Sequence, residues 1–119
     1  MNGRVDDDRR ALRPITIRAS LKTEPTSVEA WIDTAFDGHF VFPSGLIKDL
    51  ELGTLVETEA ILADGTKVTL ETFVAYLDWF GDVIPVQVIH EGQFPLLGTA
   101  LLEDRLLAVD YKQSSVLLS

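Results

Sequence analysis

Apolar and polar residues alternate along much of the chain with a period of two. Ile15, Ile17, Ala19 and Leu21 are separated by Thr16, Arg18, Ser20 and Lys22, the pattern of a strand with one buried face. Val28, Ala30 and Ile32 alternate in the same way with Glu29, Trp31 and Asp33. Residues 54–62 are rich in β-formers, and Asp64-Gly65 then turns the chain into residues 66–77, which carry Val68, Leu70, Val74 and Tyr76. An Asp-Gly pair between two such runs is a favoured hairpin turn. Gly81-Asp82 marks another turn, into residues 83–89, where Pro85 points to a strand edge because it has no N–H to give a ladder. Residues 106–111 and 116–118 read as a closing pair joined across 112–115. At the start, residues 3–5 can pair with residues 11–15 across the charged turn Asp6-Asp7-Asp8.

Helical signal is scarce. Residues 43–50 open with a proline, put Leu46, Ile47 and Leu50 on one face, and stop short of Gly53. Residues 99–104 have room for one or two turns. No repeat, low-complexity tract or linker interrupts the pattern. The sequence therefore predicts one all-β domain over residues 1–119, a closed or partly closed barrel with one or two short helices.

Composition narrows the function. At 46% hydrophobic and 24% charged, the 119 residues are those of a globular protein with a modest core. The absence of cysteine removes disulfides, thiolate metal sites and cysteine nucleophiles together. A net charge of −9 repels phosphate backbones and anionic lipid, so neither nucleic acid nor a membrane surface is an expected partner. His39 and His90 match no zinc motif, and the acidic triplet lacks the glycine and distal glutamate of a calcium loop, so no metal is expected. Residues 1–10 hold no apolar stretch and no run approaches a membrane span; a cytoplasmic location is the expectation.

Chemistry concentrates in Ala30-Trp31-Ile32-Asp33-Thr34-Ala35-Phe36-Asp37-Gly38. An apolar strand delivers an acid, a hydroxyl and a small residue to its end. That is either an ordinary strand end capped by Asp-Thr, or a carboxylate held on a rigid element with room for a ligand to reach the backbone. Ser44, Ser114 and Ser115 lie in no nucleophile elbow, His90-Glu91 has no partner at catalytic spacing, and no glycine-rich phosphate loop occurs. Trp79 and Phe80 beside Gly81 read as a packed hairpin end or a small exposed recognition patch.

The order of several motifs resembles the retropepsin-like aspartic protease family, in its small single-domain bacterial branch. Asp33-Thr34-Ala35 stands where that family ends an apolar strand with Asp-Thr/Ser-Gly, and Leu96-Leu97-Gly98 stands for its later hydrophobic-hydrophobic-Gly sequence. Phe36-Asp37-Gly38, the proline-started helix at 43–50 and the hairpin tip Ala63-Asp64-Gly65 are similar to the bacterial continuation. The resemblance implies an aspartic endopeptidase acting on a peptide or protein substrate without metal or cofactor. Asp33 would be catalytic, with Thr34 and Ala35 supporting its loop and Thr34 bonding across a dimer axis. Phe36, Asp37 and Gly38 would lie beside substrate, and Ala63, Asp64 and Gly65 would form a flap.

The chain holds a single such triplet, so the resemblance implies a homodimer with one Asp33 from each copy. It further implies that residues 116–118 pair with the partner. Two departures stand out: Ala35 replaces the usual glycine, and Ala100 replaces a usual Asp or Asn, which would remove one buried hydrogen bond to the loop. They leave a second expectation open, a dimeric binding or regulatory module of the same fold with weak or absent proteolysis.

Overall fold

The computed structural model describes residues 2–119, without the side chains at positions 55–58, 60 and 70. Its strands are β1 (Gly3–Val5), β2 (Ala11–Arg18), β3 (Thr26–Ile32), β4 (Phe40–Phe42), β5 (Gly53–Ile61), β6 (Lys67–Trp79), β7 (Asp82–His90), β8 (Leu96–Leu97), β9 (Leu107–Asp110) and β10 (Ser115–Leu118). One helix, α1 (Ser44–Leu50), follows β4, and a single 3-10 turn (Thr99–Leu101) follows β8. The sheet order is β5-β6-β7-β4-β8-β3-β2-β1-β10-β9, with β2 also paired to β6. That last pairing closes β6, β7, β4, β8, β3 and β2 into a six-strand barrel. The expected all-β barrel is the one observed.

Local chemistry explains the strand boundaries. The two runs expected at 11–15 and 15–22 are one strand, β2, whose odd positions Ala11, Ile15 and Ile17 point into the core. It stops at Arg18, earlier than the alternation predicts. Ser20 and Thr23 exchange hydrogen bonds there, with the Thr23 N–H on the Ser20 carbonyl at 3.2 Å, and the turn leaves Leu21 outside. Pro14 is tolerated within β2 because β1 pairs at residues 11 and 12 and β6 only from Thr16 onward. Pro85 likewise faces Tyr76 of β6 on one side, while β4 pairs with β7 only from Val88 to His90.

The acidic turn is satisfied by its own chain. Asp6 Oδ1 accepts the N–H groups of Asp8 and Arg10 at 3.0 and 2.9 Å, and Arg10 Nε donates to Asp6 Oδ2 at 2.7 Å. Desolvation opposes the charge on Asp6, yet the hydrogen bonds from Arg10 outweigh it and hold this carboxyl below its ordinary pKa.

Two features depart from expectation. β4 and β8 were not foreseen as strands, because at three and two residues they are too short to show a period, and Phe40, Val41 and Phe42 are all buried. The second concerns the pairing of residues 116–118 within the chain. β10 lies between β9 and β1 of the same chain, with Val116 opposite Val109 on one side and Gly3 on the other. β9 pairs with β10 along its whole length, whereas β1 pairs only with Ser115 and Val116, so Leu117 and Leu118 have no strand on that side among the described residues.

Phe40, Phe42, Ile17, Leu77, Val88 and Leu97 lie at the centre of the core, all fully buried. The rings of Phe40 and Phe42 stand 5.2 Å apart. Truncating Phe40 to alanine removes a whole ring from this packing and should cost about 3–5 kcal/mol. A urea unfolding curve checks this; an unchanged midpoint would mean that Phe40 does not sit in the core.

Candidate active site

Asp33 is placed by backbone pairing. β3 runs parallel to β8, with Trp31 opposite Leu96 and Ile32 opposite Leu97. The Trp31 N–H donates to the Pro95 carbonyl at 2.8 Å, and the Asp33 N–H donates to the Leu97 carbonyl at 2.9 Å. β8 is held on its other side by β4, with Phe40 opposite Leu97. The acid therefore leaves the barrel at a point where neighbouring strands fix its backbone on both flanks.

Beyond Asp33 the chain folds back on itself. The Phe36 N–H donates to the Asp33 carbonyl at 3.2 Å, and the Ala35 N–H donates to Asp33 Oδ1 at 2.9 Å, an Asx turn. Asp33 itself thus satisfies a loop N–H, and among the described residues its other carboxylate oxygen accepts no hydrogen bond. The segment after β8 then clasps the loop from below. Gly98 N–H donates to the His39 carbonyl at 2.8 Å, Thr99 N–H to Phe36 at 2.8 Å, and Ala100 N–H to Gly38 at 3.3 Å. The Thr99 hydroxyl adds a bond to the Phe36 carbonyl at 3.2 Å.

Space forces glycine at two of these positions. A Cβ on Gly98 would lie 2.2 Å from the Gly38 carbonyl oxygen and 2.5 Å from the Phe36 ring. A Cβ on Gly38 would lie 2.5 Å from the same ring. Phe36, expected beside substrate, is half-buried with its ring against both glycines, where it supports the loop. Asp33 is half-buried, while Thr34, Ala35 and Asp37 are exposed. Ala100 is exposed as well, and the link from this segment to the loop comes from the neighbouring Thr99 hydroxyl.

His39 is a participant that its sequence position did not reveal. Its carbonyl holds Gly98, and its Nδ1 accepts the Gln87 N–H at 2.9 Å, tying the loop to β7. Thr99 was missed too, although its place directly after Leu96-Leu97-Gly98 was a usable signal. Outside the loop, Trp31 stands edge-on to Phe94 at 6.1 Å, with the Arg10 guanidinium 4.4 Å from the Phe94 ring centre.

Ala63, Asp64 and Gly65 form the tip of the β5–β6 hairpin. Leu62 and Thr66 close it by a 2.8 Å bond, Gly65 takes a φ of +87°, and the Thr66 N–H donates to Asp64 Oδ1 at 2.9 Å. Hydrogen bonds from Thr66 hold the Asp64 carboxyl below its ordinary pKa. Ile61 and Leu62 beside the tip are exposed. Among the described residues, no hydrogen bond joins this tip to the Asp33 loop. Nor, among them, does any group of three or more His, Asp or Glu stand ready to hold a metal ion, and no helix is long and apolar enough to cross a membrane.

No protein-family model and no curated protein matches the sequence. Among solved structures the chain is similar to the EIAV protease complexed with the inhibitor HBY-793. The TM-score is 0.55 at 17% identity, over 83% of this chain and 90% of that chain. The fold is retropepsin-like. At that identity the likeness is one of architecture. Within this retropepsin-like barrel, the strand that ends in Asp33 and the Leu96-Leu97-Gly98 segment lie side by side, as the motif order implies.

Two outcomes test the loop. Gly98→Ala should destabilise the fold and displace the Asp33 loop, seen as a lower thermal midpoint with amide shifts at residues 33–38; a midpoint within about 1 °C of the parent would contradict the close approach. The second concerns acid. Burial lowers the His39 pKa below the ordinary 6.5, so its folded form favours the neutral ring. The stability it contributes is complete above that ordinary value and drains away as pH falls through the lower folded one. An asparagine side chain at this position could still accept the Gln87 N–H without titrating, so His39→Asn should flatten the stability–pH curve in that window. Parallel curves for the two proteins would exclude the role.

Proposed function

We propose that the chain is a single retropepsin-like domain that works as a cytoplasmic homodimeric aspartic endopeptidase, with Asp33 of each copy forming the catalytic pair. The observation that carries this reading is the Asp33 loop itself: a strand-end acid fixed by Leu97, with one oxygen uncommitted, on a retropepsin-like barrel. Thr34 and Ala35 are exposed beside it, which leaves the loop open to a second copy and to a peptide.

The chemistry follows from electrostatics. Two carboxylates a few ångströms apart cannot both ionise, so they share a proton and titrate as a unit. The ionised member takes a proton from water as the water oxygen attacks the scissile carbonyl, and the protonated member gives its proton to the carbonyl oxygen. Collapse of the tetrahedral intermediate breaks the C–N bond: one of its hydroxyls returns a proton to the ionised member as the protonated member gives its own to the leaving amine. Ala63, Asp64 and Gly65 would close over the peptide and exclude water. No metal or cofactor is required by this scheme.

A second reading rests on Ala35, whose methyl group is exposed beside Asp33 on the surface a peptide would approach. It makes the chain a dimeric binding or regulatory module. A statine-type transition-state mimic separates the two readings, because a working pair binds it far more tightly than a matched plain peptide. Equal affinities would favour the binding module.

The direct test is cleavage of a mixed peptide library from acidic to neutral pH by the protein and by Asp33→Asn. The substitution should lower the rate by about 10²–10⁴-fold, the range for loss of a general acid–base group, while leaving the thermal midpoint nearly unchanged. Cleavage that persists undiminished in Asp33→Asn would remove Asp33 from the mechanism.

A further inference from the structure

Away from the Asp33 loop, the barrel buries an arginine without an ion-pair partner. Arg13, on β2 opposite Ala30 of β3, is only 7% exposed. Among the described residues it forms no salt bridge, its Nε has no hydrogen-bond partner, and its NH1 reaches only the adjacent Pro14 carbonyl at 3.4 Å. The guanidinium stacks on Trp79 at 4.7 Å and lies 5.6 Å from the Phe80 ring centre. A second guanidinium, Arg105, lies over the same Phe80 ring at 3.6 Å. Burial, and then the like charge of Arg105, lower the pKa of Arg13. A buried cation is normally paired, because taking it out of water alone is costly.

The place where it sits is a break in the sheet. Between the β1 pairing at Leu12 and the β6 pairing at Thr16, β2 has no ladder on that edge. A cavity of about 280 Å³ opens there, lined among others by Arg13, Pro14, Thr16, Ser27, Asp78 and Phe80. The Asp78 carboxylate on its wall is already engaged by Arg18 at 3.0 and 3.1 Å. Arg13 lines this cavity, and among the described residues no carboxylate pairs with it.

Phe80 is the second observation. It and Gly81 form a two-residue hairpin loop between Trp79 and Asp82, with φ of 49° and 90°. Both positive values make this a type I′ turn, whose favoured pair is Asn-Gly. A bulky aromatic in the left-handed region is an outlier, and this one is 42% exposed. Neither turn chemistry nor burial accounts for it. Its ring stands edge-on to Trp79 at 5.0 Å and contacts Arg13 and Arg105 at once.

We propose that this break in the sheet is a binding site for an oxyanion, with Arg13 as the buried anchor, Arg105 as the second cation and Phe80 as the platform that holds them. The ligand class is a small carboxylate or phosphate, the groups a guanidinium fork recognises best. Thr16 and Ser27 bring hydroxyl donors to the same cavity. This site is independent of the peptidase reading and uses none of its residues.

The full chain would be titrated with sodium phosphate and with sodium succinate, each against sodium chloride at matched ionic strength. Calorimetry and amide shifts would follow binding. Saturable binding with shifts at Arg13, Thr16 and Phe80 is expected, and whichever anion binds identifies carboxylate or phosphate as the source. Arg105→Gln, an exposed change, should weaken it about tenfold, in line with one charge-assisted hydrogen bond. Arg13→Met should abolish it; should that variant fail to fold, Arg105→Gln carries the test. Phe80→Asn suits the turn better, so it should raise the thermal midpoint while weakening the anion. Binding no stronger than that of chloride, shifts elsewhere on the barrel, or unchanged affinity in Phe80→Asn would each overturn the proposal.

Discussion

The structure depends on a parallel pair of strands only two residues deep. β8 supplies Leu96 and Leu97 and nothing more, yet it lies between β3 and β4 and joins the two sides of the barrel. Its Leu97 carbonyl fixes the Asp33 N–H, and its next residue, Gly98, is the one that can pass this close to Gly38 and Phe36. Parallel pairs need a long crossover; here most of the chain between residues 33 and 95 serves as one. The acid at the end of β3 is therefore positioned by chain that returns roughly sixty residues later.

That distance explains what could and could not be read from the sequence. The long strands were legible because alternation fixes which side of a strand is buried, as at Ile15, Ile17, Ala30 and Ile32. The hairpin at Asp64-Gly65 was legible because the turn type demands those residues. β4 and β8 were not, since a strand of three or two residues has no period to display. The end of β2 was also misjudged, because Ser20 and Thr23 offered the backbone an alternative set of hydrogen bonds.

The candidate site divides in the same manner. Asp33, Thr34 and Gly98 were found from local motifs, and the structure brings their segments together. The Phe36 ring turns onto Gly38 and Gly98, which a pattern along the chain does not reveal. His39 and Arg13 carried no local signal at all. The first matters through a carbonyl and one ring nitrogen, the second through what fails to surround it.

The partly covered β10 has a consequence for the sheet margin. Leu117 and Leu118 have β9 on one side and, among the described residues, no strand on the other, which leaves a margin two residues long. So short a stretch of open backbone offers little template to another chain, one of the ways folded sheets keep their margins from aggregating.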